Sequence, residues 1–342
     1  MNQSSTTIIP EVSVVMSCYN AGRWLSEAID SVLAQSFRKF EFILIDDGSN
    51  DETWQIIQSY RDRDNRIVAI SKKNTGLADS LNVGINLAKG AWVARLDADD
   101  LCERTRLEKQ IEFVRNNPDV VLLGTGFVEI DDHSRVLKRH VYPSHHNNLV
   151  RHLERLQSFF PHSSAFYRVD MAKQAGGYNV RIRRAEDKRL WLELSSRGLI
   201  ACLPCPLVKI RKHSNQISHD NNGRRQIVDA VAATVCHFLR KSGANDPSLG
   251  DSPEEWDIFI DWVNTRIDEI GVFAKRKTWD DARIEYFSVK NKLISIIIFG
   301  FCLLRSDHTL SLIYEKVFGS DLPVRLAREW ARRANISHHL QS

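Results

Sequence analysis

The chain has 342 residues, 43% hydrophobic and 26% charged, the make-up of an ordinary globular protein able to bury one large core or two modest ones. Its net charge of +4 is too small to argue for a nucleic-acid partner. Six cysteines (18, 102, 202, 205, 236, 302) lack a disulfide-framework spacing and point to a reducing, cytoplasmic setting, and the lone C-x-x-C over 202–205 has no second pair for zinc.

Residues 1–10 carry no basic segment followed by a long apolar one, so no signal peptide is expected. Residues 12–16 are a short β-branched apolar run bounded by polar residues, the pattern of a buried parallel strand. Ala21-Gly22 opens a helix with Leu25, Ile29, Val32 and Leu33 on one face. A second strand over 41–45 ends in Asp46-Asp47-Gly48-Ser49, with Asp51 capping the next helix. That helix carries Trp54, Ile57 and Tyr60. A strand at 67–70, a helix with Leu77, Leu81, Ile85 and Ala88, and a strand over 91–96 follow. Such alternation predicts βαβ units and a parallel sheet.

Beyond Asp100 the spacing predicts a helix with Leu107, Ile111 and Val114, a strand at 120–123 and a hairpin between Gly126 and Val141. From Asn222 the pattern turns helical, first with Ile227, Val231, Val235 and Phe238, then around 256–270, 279–287 and 322–334. Residues 242–253, rich in Gly, Ser, Asp and Pro, are the best linker candidate. The most apolar run, LISIIIFGFCLL over 293–304, is shorter than the roughly 20 residues a membrane span needs. It reads as a buried helix, and Lys290, Lys292 and Arg305 also permit docking at a membrane interface.

The stretch Arg95-Leu96-Asp97-Ala98-Asp99-Asp100 crowds three carboxylates at a strand end, and like charges that close need an offset. A hard divalent cation supplies one, held by one or two carboxylates and completed by waters and phosphate oxygens. The plainer alternative is an acidic turn before the helix near Arg104. In a parallel α/β sheet ligands bind at the carboxyl ends of the strands. Three such ends are polar here: Ser17-Cys18-Tyr19-Asn20, Asp46-Asp47-Gly48-Ser49 and Asp97-Ala98-Asp99-Asp100. They would line one cleft.

Taken in order, VSVVMSCYNAGRWLSEAIDSVLAQSF, FEFILIDDGSNDET, NTGLADSLNVGINLAKG, WVARLDADD, PHSSAFYR, AGGYN, AEDKRLWLELSSRG and RKHSNQIS run from residue 12 to 218. The ordered set resembles the inverting glycosyltransferases of family 2, which have the GT-A fold and whose members build bacterial surface polysaccharide such as lipopolysaccharide or capsule. The resemblance implies a GT-A domain over 1–220, a Rossmann-like, mostly parallel α/β sheet, with a helical region over 221–342 that associates with a membrane or a partner. It implies that Asp47 accepts a hydrogen bond from uracil N3–H, that Ser17, Tyr19 and Asn74 line the nucleoside pocket, and that Asp97 faces the ribose or donor sugar. Asp99 would ligate Mg2+ or Mn2+ at the diphosphate, with His213 of the closing segment as a second contact and Asp100 in support. Asp187 would be the general base for a glycan or lipid-linked acceptor, with His162, Glu186 and Arg184 on the acceptor side. Glu186-Asp187 also suit a helix N-terminus.

The sequence departs from the family where Ser17 and Arg104 stand in place of common prolines. Arg181, Arg183 and Arg184 are more basic than the pattern leads one to expect, and would fit either a solvated loop or an anionic acceptor such as a diphosphate-linked lipid. A nucleotidyltransferase would want a glycine-rich basic loop after strand one, where a single Gly22 stands, and an NAD enzyme would want G-x-G-x-x-G. A catalytically silent nucleotide-sugar binder would lack carboxylates that are all present. Expected partners are a nucleotide sugar and an acceptor, with peripheral contact at the inner face of the cytoplasmic membrane and no nucleic acid.

Overall fold

The structure, a computed structural model, describes residues 9–142, 145–157, 159–213, 224–270 and 321–341. The apolar run at 293–304, the helix expected at 279–287, and RKHSNQIS beyond His213 lie outside the described residues. The chain forms two compact units, one of residues 1–150 and 159–219, the other of 151–158 and 220–342.

The first unit is built on a nine-stranded sheet. β1 (Val12–Cys18), α1 (Gly22–Leu33), β2 (Phe40–Asp46), α2 (Thr53–Arg61), β3 (Ile67–Ser71), α3 (Leu77–Leu87) and β4 (Trp92–Arg95) alternate as expected. β3, β2, β1 and β4 lie side by side and parallel, with Cys18 opposite Asp46 and Val15 opposite Arg95. β5 (Leu101–Cys102), α4 (Arg106–Asn116), β6 (Val120–Ile130), β7 (Val136–His140) and α5 (His146–Glu154) come next. A 3-10 turn over His162–Ser164 leads into β8 (Phe166–Arg168), α6 (Val169–Gln174), α7 (Glu186–Ser195) and β9 (Leu199–Arg211). The sheet order is β3-β2-β1-β4-β8-β6-β9-β5, with β7 on β6. β8 is antiparallel to β4 and β6, while β6 and β9 run parallel.

Valines 12, 14 and 15 of β1 are buried because helices cover both faces of a parallel sheet. α1 lays Leu25, Ala28, Ile29 and Val32 on it, an i, i+3, i+4, i+7 stripe whose larger side chains each contribute about 1.5–3 kcal/mol by leaving water. Asp51 does more than cap its own helix. One oxygen accepts from Thr53 N and the other from Gly22 N (both 3.0 Å), so it also satisfies an orphan donor of α1.

The second unit contains α8 (Arg224–Lys241), α9 (Pro253–Glu269) and α10 (Leu322–Gln341). Phe259 and Trp262 of α9 pack on Trp330 of α10 with ring centroids 5.0 and 5.1 Å apart. Residues 242–253 are no linker between units. They turn the chain from α8 into α9 within the second unit, with Asp246 and Ser248 buried and hydrogen-bonded to each other. The Gly, Ser, Asp and Pro that read as flexible serve turn and cap geometry instead: Ser252 Oγ accepts from Glu255 N at 3.1 Å, and Pro253 sits at the first helical position. No described helix is long and apolar enough to cross a membrane.

Candidate functional site

The site residues expected from the sequence lie in the first unit, around the carboxyl ends of β1, β2 and β4. Ser17, half-buried, is the penultimate residue of β1, and Tyr19 beyond it is exposed. Asn20 takes a left-handed φ of 48°, which asparagine tolerates better than most side chains. It ties the loop after β1 to the loop after β2: its N–H donates to Ser49 Oγ and its Oδ1 accepts from Asn50 N, each at 2.9 Å.

Asp47 is buried and well supplied with donors. Oδ1 accepts from Lys72 Nζ (2.5 Å) and Thr75 N (3.0 Å), and Oδ2 from Gly76 N (2.9 Å). A carboxylate oxygen has two lone pairs, so one acceptor position is left, on Oδ2. Asp47 therefore holds the turn that presents the exposed Asn74. Gly48 packs against the same turn at φ 75°, where an added Cβ would meet Asn74 N at 2.7 Å.

At the end of β4 one hydroxyl organises the acidic cluster. Ser163 Oγ lies 2.8 Å from Asp97 Oδ2 and 2.5 Å from Asp100 Oδ2, and accepts from Asp97 N (3.1 Å) and Arg95 Nη1 (3.2 Å). Asp97 also pairs with Arg95. Asp100 is buried, its other oxygen accepting from Arg211 N at 2.9 Å. Arg211, fully buried, donates to Asp99 O (3.0 Å) and Glu27 Oε2 (2.9 Å). Asp99 is half-buried, and His213 Nε2 shares a hydrogen bond with its Oδ2 at 2.9 Å while the imidazole leans on Trp24, ring centroids 4.3 Å apart.

Carboxylate oxygens of Asp97, Asp99 and Asp100 lie within 4.8 Å of one another. Burial pushes Asp99 up, with the charge of Asp97 adding to it. Asp100 goes well above the usual range by burial and by both neighbours. Burial would raise Asp97 too, but the Arg95 charge and hydrogen bond more than offset it, and its pKa ends below the ordinary value. An all-oxygen set whose members repel one another fits a hard divalent cation. Within it Asp99 is the least engaged carboxylate, its side chain meeting His213.

On the other side of the 3-10 turn, Glu186 and Asp187 open α7. Asp187 is half-buried, accepts from Lys188 N at 2.6 Å and is raised above the ordinary carboxylate value by burial. Glu186 is buried, and burial plus the Asp187 charge push it up to about 8. His162 Nδ1 lies 3.9 Å from Glu186 Oε1 and its Nε2 shares a hydrogen bond with Tyr178 OH at 2.8 Å. Burial, then the charge of Arg95, holds His162 well below its ordinary value, so it is neutral. Trp191, one α7 turn on, packs edge-on against His162 at 5.7 Å and seats the helix start. Arg184 is half-buried just before α7, and Arg181, Arg183 and Arg184 all have partners of their own.

The turn therefore brings Asp97, Asp99, His162, Glu186, Asp187 and His213 into one neighbourhood. Asp47, just after β2, holds the turn after β3 that carries Asn74, and its N–H donates to Cys18 O (2.8 Å) beside Tyr19 at the end of β1. Sequence reasoning missed Arg95, Ser163, Lys72 and Arg211. An arginine inside the apolar run Ala91-Trp92-Val93-Ala94-Arg95-Leu96 was a usable signal, since buried charges require partners.

Comparison with known proteins bears on the family and the fold. The model of "Glycosyl transferase family 2" matches residues 13–176. The amylovoran biosynthesis glycosyltransferase AmsE of Erwinia amylovora is 31% identical over 60% of this chain and 78% of its own length. The O-antigen biosynthesis glycosyltransferase WbnJ of Escherichia coli is 29% identical over 56% of this chain and 74% of its own. Among solved structures, S. aureus TarS 1-349 in complex with UDP-GlcNAc superposes with a TM-score of 0.56 at 19% identity, covering 75% of this chain and 72% of that one. At that identity the likeness speaks for the fold, which is GT-A with C-terminal helices.

Proposed function

The chain belongs to glycosyl transferase family 2, and from that premise we propose that it is an inverting, hexosyl-type enzyme. It moves a sugar from a uridine diphosphate donor to a hydroxyl of a glycan or lipid-linked glycan in bacterial surface polysaccharide synthesis. The observation that carries this reading is the 3-10 turn, where Ser163 reaches the acidic cluster and its neighbour His162 reaches Glu186. Such an arrangement suits a donor bound on one side and an acceptor deprotonated on the other. The UDP-GlcNAc held by the S. aureus neighbour and the names of the two relatives support the donor and the pathway class. The single open acceptor position on Asp47 suits one imide N3–H, with Ser17, Tyr19 and Asn74 around the nucleoside.

Asp187 takes the proton of the acceptor hydroxyl as that oxygen attacks the anomeric carbon on the face opposite the diphosphate. The bond from carbon to the β-phosphate oxygen breaks, the nucleoside diphosphate leaves, and the configuration inverts. Asp97 orients the donor sugar or ribose, while Glu186, His162 and Arg184 shape the acceptor side. Asp99 and His213 would hold Mg2+ or Mn2+, which when bound neutralises charge growing on the leaving diphosphate. Residues 221–342 meet a membrane or partner, and partition into membrane pellets that deletion of 290–342 abolishes is the expected mark of it. A wholly soluble full-length protein removes the membrane role.

The main test is a screen of UDP-, GDP- and dTDP-sugars with Mn2+ or Mg2+, read by nucleoside diphosphate release and by NMR of the product anomer. Fastest turnover with a UDP-sugar and an inverted product are expected. Retention overturns the mechanism, and no binding or turnover with any donor overturns the transferase reading.

A further inference from the structure

We infer that Arg95 is a positioning residue for both halves of the site: its buried guanidinium, held by Ser163, aims Asp97 at the donor and lends positive charge to Asp187. The inference rests on the transferase reading above. Arg95 ends β4 with its side chain inside the protein, 1% exposed. Its backbone is fixed on both sides. The N–H donates to Ala165 O (2.9 Å), and the carbonyl accepts from Arg106 Nη2 (2.8 Å), which also reaches Ala165 O (3.2 Å). Arg106 in turn donates to Gln110 Oε1 (3.0 Å), and Gln110 Nε2 donates to Ser164 O (3.0 Å). One face of α4 thus backs both the end of β4 and the turn that carries Ser163.

The guanidinium itself meets Asp97 and Ser163 Oγ, and its Nε is buried with no hydrogen-bond partner. A buried donor left unmade costs stability, and an apolar residue at this strand position would avoid the cost. The pair is therefore better explained by what the charge does. Asp97, Asp100, Glu186 and Asp187 all feel it, the first two beside the donor and the last two beside the acceptor. The groups whose charge bears most on Asp187 include Glu186 and Lys188 on its own helix, Arg95 and Asp97 at the end of β4, and Tyr178 from the loop before α7. Arg95 is the cation among these that comes from outside α7. Without it, burial and the Asp97 charge would hold Asp187 protonated to higher pH.

The test uses the full chain and a donor that the wild type turns over, with Arg95→Met, Arg95→Lys and Ser163→Ala. Folding is checked by circular dichroism, donor affinity by calorimetry, and kcat/KM is followed against pH. Arg95→Met should lower kcat/KM roughly 100-fold, the scale of a misplaced reacting group. It should also move the acid limb up by about one pH unit. Arg95→Lys, which keeps the charge and loses the fork, should hold the acid limb at its wild-type position and regain about tenfold of the rate. Ser163→Ala should weaken donor binding about tenfold with the acid limb unmoved, and it carries the test with Arg95→Lys if the methionine variant does not fold. A folded Arg95→Met protein within threefold of wild type overturns the inference, as does an acid limb that stays put in it or shifts equally in the lysine variant. So does unchanged donor affinity in Ser163→Ala. A wild type that neither binds nor turns over any nucleotide sugar instead overturns the transferase reading on which the inference stands.

Discussion

Asp187 opens a helix that carries Leu190 and Trp191 into the core, so its half-buried carboxylate has little freedom to wander. Burial raises its pKa, which makes it a stronger base than an exposed aspartate and sets where it fails. As pH drops through that raised value the carboxylate protonates, and with Asp187 as the proposed base the acid limb of kcat/KM should fall there. Asp187→Asn should lower kcat on the order of 10²–10⁴-fold and leave the donor dissociation constant unchanged by calorimetry. Transfer at the wild-type rate removes the assignment. Carboxylates such as Asp99 and Asp187 were legible because acids crowded at a strand end or a helix start need a reason. Ser163 and Arg95 were not, since their meaning lies in partners up to 68 positions away, which spacing does not reveal.

At the scale of elements, β1 to β4 and their helices were readable because each apolar run has the length and period of its element. The other half of the sheet was readable only in part. β5 has two residues and β8 three, too few for any periodicity. β6, from Val120 to Ile130, joins the strand expected at 120–123 to the first arm of the expected hairpin, which β7 completes. The pairing of β6 with β9 joins segments about eighty residues apart, and no local pattern announces it. The turns between readable elements carry much of the site, and Gly48 is the clearest case. Its φ of 75° and the 2.7 Å between a would-be Cβ and Asn74 N leave no room for alanine without moving the nucleoside-side loop. Gly48→Ala should cost about 1–3 kcal/mol of unfolding free energy. The same shift of the loop should weaken donor binding about tenfold, read by calorimetry alongside a denaturant titration. Unchanged donor affinity in a destabilised protein separates the loop's structural role from the proposed nucleoside pocket.

At the scale of the whole molecule, His162 and Glu186, on the proposed acceptor side, contribute to the pH dependence of stability with opposite signs. His162 is depressed, so its contribution is complete above its ordinary value of 6.5 and is lost as pH falls from there. Glu186 is raised from 4.5 to about 8, so its contribution is complete below 4.5 and is lost as pH rises towards 8. Between 4.5 and 6.5 the two slopes oppose each other. Above 6.5 His162 is neutral folded or unfolded, and the slope from Glu186 stands without that opposition. One proton per molecule is worth about 1.36 kcal/mol per pH unit, so Glu186 removes roughly 2 kcal/mol between pH 6.5 and 8. Glu186→Gln keeps a neutral side chain of the same size at every pH. Its denaturation curves should therefore gain on wild type from pH 4.5 upward, about 2 kcal/mol of it between 6.5 and 8, with little gain only below 4.5. Curves for the two proteins that run parallel from pH 6.5 to 8 mean that Glu186 is ionised in the folded state. In that event the acceptor side carries two negative charges at neutral pH, and Asp187 relies on Arg95 more heavily still.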